Sequence, residues 1–456
     1  MEPRPHPHQP LTPISNERPT TGVIQTAQTA TIDPPPSRTV PRAAVGVGFL
    51  AAIAALAVHH LLEPFNASSH MGLFTNGGDL DIYRRGALQI LHGQRIYHDQ
   101  LPAGGWFTYP PFAAITFVPL AVLNFTTAKA LWMALSFTAL AATIWRCATV
   151  LGYRPDRRLM LISVALTFVA LDIQAVRGTL WQGQINLILM AIIVWDLTRP
   201  NGARMHGWAA GIAAGIKLTA IVFVPYLLVT RQWRVAATAM ATAVATVAVT
   251  WIVLPADSTD YWLHAVFQTD RIGPLAHPGN YSIGGILATI WAPTPMPALL
   301  WLAAVGLASL LGLYAAYQAH RTGNRLLAIT ITGMLSCTMP PLAWSHHWVW
   351  SVPLLAVILD RAARATGTAR WRWAASTAAV YLTVFMWFNA WLYRTAHSLN
   401  NQYPTYVDAL DAAIDQMTKA DRLLAVATQP ALFIAVAVAT IAGARWLSSR
   451  PADRPH

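Results

Sequence analysis

The stretch NGGDLDIYRRGA, Asn76 to Ala87, sets two carboxylates, Asp79 and Asp81, beside two guanidiniums, Arg84 and Arg85. A carboxylate so placed can take a proton from an attacking hydroxyl. Arginines next to it can hold an anionic group or meet a lipid headgroup. A structural reading stands beside the chemical one. Asp79 follows Gly77-Gly78 and precedes a run of helical spacing, so its carboxylate can cap that helix, with Asp81 in the first turn where the helix dipole favours it. By residue type alone, both readings stay open.

Other residues with chemical potential are scattered. Lys217 stands inside an apolar run, where an ammonium needs an anionic partner unless it snorkels to an interface. His346 and His347 lie between Trp344 and Trp348. Adjacent positions on a helix point about 100° apart, so only one of the two is expected to face a site. No carboxylate stands at ligand spacing from them, so no metal is expected. In WQGQIN, Trp181 suits stacking on a sugar face and Gln182, Gln184 and Asn186 suit hydroxyls; a wet helix start explains the same residues. Tyr109-Pro110-Pro111 reads as a rigid helix start that can also offer a contact. Asn280 and Ser282 are weaker candidates. Cys147 and Cys337 fall in apolar runs, which disfavours a disulfide or a metal cluster.

The elements that must position these residues are membrane helices. The 456 residues are 55% hydrophobic and 11% charged, with mean hydropathy +0.41, whereas soluble domains carry about 25% charged residues. Apolar runs alternate with arginine-bearing links, so the net charge of +12 is read as orienting the chain and meeting anionic lipid, not as binding nucleic acid. Residues 1–42 read as a disordered cytoplasmic tail and 448–456 as a second tail. The transmembrane domain is expected over 43–447, with external loops at 63–110, 255–295 and 393–423. The first loop should carry an interfacial helix with Leu80, Tyr83, Ala87, Leu88 and Leu91 on its apolar face and Gly93 as its stop. The third should carry an amphipathic helix with Val407, Leu410, Ile414 and Met417 on one face. The run around Lys217 must begin and end inside, so it is expected to break into two short helices there. The expected fold class is all-α, a polytopic membrane protein of roughly 12 helices, some short or re-entrant. The acids concentrate in external loops and no chain of them crosses the membrane, so any chemistry is expected at the outer face.

Taken in order, DLDIYRRGALQILHGQRIY, FTYPPFAAITFVPL, WQGQINLILM, AAGIKLTAIVFVPYLLV, GNYSIGGILA and WSHHWVWSVP resemble the polyprenol-phosphate-mannose-dependent mannosyltransferases of glycosyltransferase family 87. The resemblance covers most of Asp79 to Leu354; it departs at Tyr281, where the pattern leads one to expect Gln. It implies a C-type glycosyltransferase architecture in the plasma membrane. It also implies a polyprenyl-phosphate mannose donor, an acceptor of the phosphatidylinositol mannoside type, and α-1,2 transfer with inversion. Inversion needs one base. The resemblance assigns it to the first position of the D-x-x-x-Y pattern, Asp79 to Tyr83, with Asp81 as second candidate. The donor phosphate would then meet Lys217, His346, His347, Arg84 and Arg85. Sugar and acceptor contacts would come from Tyr83, Tyr109, Trp181, Gln182, Gln184, Asn186, Asn280, Ser282 and Trp344. No cofactor is implied, and no Gly-rich nucleotide-sugar motif is found. The competing class is a transporter or flippase of lipid-linked glycans, which should show paired repeats.

Overall fold

The computed structural model describes residues 38–65, 72–101 and 105–449. Nearly all of the expected N-terminal tail and the end of the C-terminal one lie outside these residues. In chain order the helices are α1 (Arg42–Leu62), α2 (Gly78–Leu91), α3 (Pro111–Thr116), α4 (Val118–Ala121), α5 (Phe125–Val150), α6 (Arg157–Val169), α7 (Gln174–Gln182) and α8 (Asn186–Leu197). They continue as α9 (Trp208–Ile216), α10 (Phe223–Val229), α11 (Trp233–Val253), α12 (Pro255–Leu263), α13 (Ile283–Trp291) and α14 (Ala298–Arg321). The last six are α15 (Arg325–Thr338), α16 (Ser351–Arg364), α17 (Gly367–Val384), α18 (Trp387–Leu399), α19 (Tyr406–Asp415) and α20 (Lys419–Ser449). Among the described residues there is no strand, only three isolated backbone bridges. The fold is all-α and polytopic.

Five helices, α1, α5, α11, α14 and α20, are long and apolar enough to cross a membrane. Their outward faces explain the composition: Ile252 and Leu299 are 81% and 82% exposed, a placement that suits lipid and not water. The segments outnumber the expected dozen because several apolar runs are broken. PPFAAITFVPLAVL divides into α3 and α4, α3 starting with Pro111 at its first position, where a missing N–H costs nothing. The chain bends by 118° between α7 and α8. The run through Lys217 ends as α9, then passes through an extended Lys217 (φ −141°, ψ 104°) into a 3₁₀ turn and α10. Near the third external loop the helix is interrupted again: α17 ends at an extended Phe385 and α18 begins at Trp387.

Packing follows small residues and buried pairs. α9 lies against α11. A Cβ on Gly211 would come within 2.3 Å of the Ala239 carbonyl oxygen, the close approach that small residues allow between membrane helices. At one end of the bundle, His59 Nδ1 lies 3.1 Å from Asp172 Oδ1, and Arg177 pairs with Glu63, both fully buried. Glu63, expected in open loop, is therefore core. In α2, Leu80, Tyr83 and Ala87 are buried as the spacing predicts, while Leu91 is exposed; Gly93 follows the helix at φ +69°. In α19 the buried positions are Ala409 and Ala413, with Val407 exposed, so its docked face is rotated from the expected one.

Candidate active site

The turn that begins α2 releases Asp79 from capping. Asn76 Oδ1 accepts the backbone N–H groups of Gly77 (2.7 Å) and Gly78 (3.0 Å). The helix is capped by Gly77, at φ +155° with no side-chain bond. The capping explanation for Asp79 is thereby set aside. Its carboxylate turns instead to Gln184, whose Nε2 donates to Asp79 Oδ2 at 2.6 Å. Gln184 follows Gly183, which takes the left-handed conformation (φ +72°) and sits where a Cβ would press within 2.7 Å of Leu80. Its amide is held on both sides. Tyr83 donates its hydroxyl to Oε1 at 2.8 Å, and Nε2 also donates to the Tyr109 hydroxyl at 3.1 Å. Asp79 is part-buried beside these groups. Burial raises its pKa from 3.8 to about 6, against the opposing pull of the Gln184 bond and the Lys217 charge. A carboxylate tuned toward neutrality is suited to general-base work.

Lys217 arrives from the break between α9 and α10. Nζ donates to Asn186 Oδ1 at 2.8 Å and stands 5.9 Å from the Tyr109 ring centroid. Asn186 in turn donates Nδ2 to the His346 carbonyl at 2.8 Å, tying the lysine's support to the histidine turn. Of the two histidines, His347 lines the cavity and His346 is buried behind it, the rings 4.8 Å apart at 75°.

Asp79, Tyr109, Gln184, Lys217, Trp344 and His347 share the wall of one cavity of about 260 Å³. The same wall contains Trp106, Thr108, Thr219 and Arg271, which the sequence reading did not single out. Arg271 packs 4.1 Å from the Trp106 ring centroid and donates to the Tyr97 carbonyl at 2.8 Å. Its only signal in sequence is a cation in a loop otherwise rich in acids.

Several expected site residues serve elsewhere. Asp81 is committed to Arg85 (2.5 Å) and Arg84 (3.6 Å) and does not reach the cavity. Arg84 donates to the carbonyls of Leu120 and Leu123, fastening α2 to the end of α4, so neither it nor Arg85 is available to a phosphate in the cavity. Tyr83 is fully buried behind Gln184. Trp181 carries the Arg177 guanidinium 4.9 Å from its ring centroid, and Gln182 accepts from Asn76 Nδ2 at 3.3 Å. Asn186 supports Lys217 from a small inner pocket. Asn280 donates to the Leu275 and Pro341 carbonyls, and its Oδ1 accepts from Ala343 N–H and the Ser282 hydroxyl. Ser282 Oγ caps α13 through Gly285 N–H at 3.0 Å. Both knit loop backbone and neither presents itself to a sugar.

Known proteins resemble this chain in the same sense. It is 33% identical over 310 residues, 66% of its length and 74% of the relative's, to the polyprenol-phosphate-mannose-dependent alpha-(1-2)-phosphatidylinositol pentamannoside mannosyltransferase of Mycolicibacterium smegmatis. It is 31% identical over 61% of its length and 69% of the relative's to the corresponding phosphatidylinositol mannoside mannosyltransferase of Mycobacterium tuberculosis. An alpha-(1->3)-arabinofuranosyltransferase of Corynebacterium glutamicum is 25% identical over 53% of this chain and 56% of its own. No solved structure matches. The family model matches residues 107–341, just over half of the sequence, and the chain belongs to glycosyltransferase family 87.

Proposed function

We propose that this protein transfers mannose, with inversion, from polyprenyl-phosphate mannose to a mannose of a phosphatidylinositol mannoside, forming an α-1,2 bond at the outer face of the plasma membrane. The observation that carries this reading is one cavity holding a carboxylate, Asp79, that forms no ion pair among the described residues, together with Lys217, Arg271 and His347. In the reaction an acceptor hydroxyl oxygen attacks C1 of the donor sugar. The C1–O bond to phosphate breaks, its electron pair stays on the phosphate oxygen, and the hydroxyl proton passes to Asp79. One base suffices, because the phosphate leaves as a stable anion. Lys217 and Arg271 stabilise the charge that grows on it, and Gln184 orients the base. Beside the cavity, and sharing Pro110 and Leu218 with it, lies an almost wholly apolar groove of about 230 Å³ walled by α9 and α11. It suits the first isoprene units of a lipid donor. The arginine-bearing links favour a cytoplasmic N-terminus, which puts α2 and its carboxylate outside.

The test is mannose transfer by the purified protein with synthetic polyprenyl-phosphate mannose and a mannosylated phosphatidylinositol. Product should appear with an α-1,2 linkage. Transfer from polyprenyl-phosphate arabinofuranose but not from the mannosyl donor would overturn the sugar assignment. Absence of transfer from either, with donor still bound, would favour lipid-glycan transport.

A further inference from the structure

A second, larger chamber of about 780 Å³ opens between the end of α17, α18, the link that follows α19 and the start of α20. It shares a partition with the Asp79 cavity. Asn280 and Trp344 pair as an antiparallel bridge, and Tyr281 N–H donates to the Ala343 carbonyl at 2.8 Å. Trp344 faces the reaction cavity while Tyr281 lines the chamber. The extended Phe385, where α17 ends and α18 begins, lies in its wall.

Its chemistry differs from that of the reaction cavity. No lysine, arginine or histidine lines it, so it does not attract a phosphate. Instead it offers indole faces, Trp387 and Trp391, which remain 55% and 38% exposed, together with the amides of Gln416 and Gln429. Gln429 is 4% exposed, and its Oε1 has no hydrogen-bond partner among the described residues. Aromatic faces with neutral amides and one carboxylate, Asp421, match a neutral polyol: rings stack on the sugar's C–H face and amides take its hydroxyls. Volume argues the same way. The reaction cavity, at about 260 Å³, falls below the roughly 300–1,000 Å³ usual for a whole ligand, so a multi-sugar acceptor needs further room. Most of the chamber wall lies at 382–429, beyond the family match at 107–341.

We infer that this chamber is a carbohydrate-binding site that holds the distal mannoses of the acceptor glycan while its terminal sugar reaches past Tyr281 to Asp79. The inference rests on the transferase reading, and the experiment separates the two. Soluble α-mannotetraose is titrated against full-length Asp79→Asn protein in detergent, with and without Trp391→Ala, Trp391→Phe or Gln416→Ala, each checked by thermal melting. Trp391→Ala should weaken binding roughly fivefold to tenfold, the scale of one aromatic contact, and Trp391→Phe should recover most of it. In proteins retaining Asp79, Trp391→Ala should lower the kcat/KM ratio of mannosylated phosphatidylinositol over a single-sugar alkyl mannoside by the same factor. Equal tetraose affinity in the folded Trp391→Ala and Gln416→Ala proteins, or no binding to the parent at millimolar sugar, overturns the chamber and leaves transfer standing. Binding that depends on Trp391, combined with no mannose transfer by the protein that retains Asp79, supports the chamber and overturns the transferase reading.

Discussion

On the proposed mechanism, replacing Asp79 by Asn removes the base and little else. The amide has the same shape, and its oxygen can still accept the Gln184 Nε2 bond that the carboxylate accepts at 2.6 Å. Loss of a positioned general base lowers turnover by about 10²–10⁴-fold. Stability should move the other way. Burial raises the Asp79 carboxyl from 3.8 to about 6, so ionising it costs more in the folded protein than in the unfolded chain. Below pH 3.8 the group is protonated in both states and the folded protein incurs no penalty. Between 3.8 and about 6 the unfolded chain ionises first, and this group's support for the fold is lost as pH rises through that window. Above it the penalty is complete, at most about 3 kcal/mol at 1.36 kcal/mol per pH unit. Asn never ionises, so at neutral pH the variant should melt no lower than wild type. The assay is initial-rate mannose transfer from about pH 5 to about 8.5, paired with melting curves. Wild-type kcat/KM should fall below about pH 6, and the residual rate of the variant should show no such limb. A variant with more than about a tenth of wild-type turnover, or with the same acid limb, would refute the assignment of Asp79 as base.

Gln184→Leu removes a hydrogen bond that favours the ionised carboxylate, so the acid limb should shift to higher pH; a limb that stays in place would mean the limb does not report Asp79. Lys217→Met should move the same limb upward, because the lysine charge also lowers the Asp79 pKa. It should also raise donor KM or lower kcat by about 10²-fold if the ammonium holds the phosphate. Asn280→Ala breaks bonds to four loop groups and should destabilise by ~2–4 kcal/mol in thermal melting. The protein that survives should keep near-normal acceptor KM, and a selective rise in that KM with unchanged melting would return Asn280 to the sugar site.

What the sequence made legible were features that act along one dimension. Apolar run length marks α1, α5, α11, α14 and α20. A lysine in such a run marks the break at 217, and Tyr109-Pro110-Pro111 marks the start of α3. What stayed hidden depends on rotation and on closure over long separations. Asp79 and Asp81 stand two positions apart, about 200° around a helix; one faces Gln184 and the other Arg84 and Arg85. Composition reads the pair as equivalent, and only the docked face of α2 separates them. Arg271 enters the cavity through a loop whose partner, Trp106, is remote in sequence. The His59–Asp172 pair closes across 113 positions. Asn280 and Ser282 have a sugar-binder's chemistry, yet their bonds go to backbone, because a loop buried this deeply must have its carbonyls and N–H groups satisfied.

The broken helices follow from the same rule. A bundle of uninterrupted spans satisfies every backbone group internally and leaves no room for a charged reaction. Here the walls of the cavity come from places where a helix stops: the Gly183 bend, the extended Lys217 and the Pro340-Pro341 segment after α15. At Lys217 itself both backbone groups are paired. Its N–H donates to the Ala213 carbonyl at 2.7 Å, and its own carbonyl accepts from Ala220 N–H at 3.0 Å. The break turns the side chain out of the helix stack toward Asn186 and the cavity. A lysine in an apolar run then needs no acid on its own helix. Its charge acts on Asp79, holding that carboxyl below the value burial alone would set, while Nζ donates to Asn186 Oδ1 and the lysine lines the same cavity. The interruption that the membrane makes costly elsewhere is what brings carboxylate and cation to the lining of one small space.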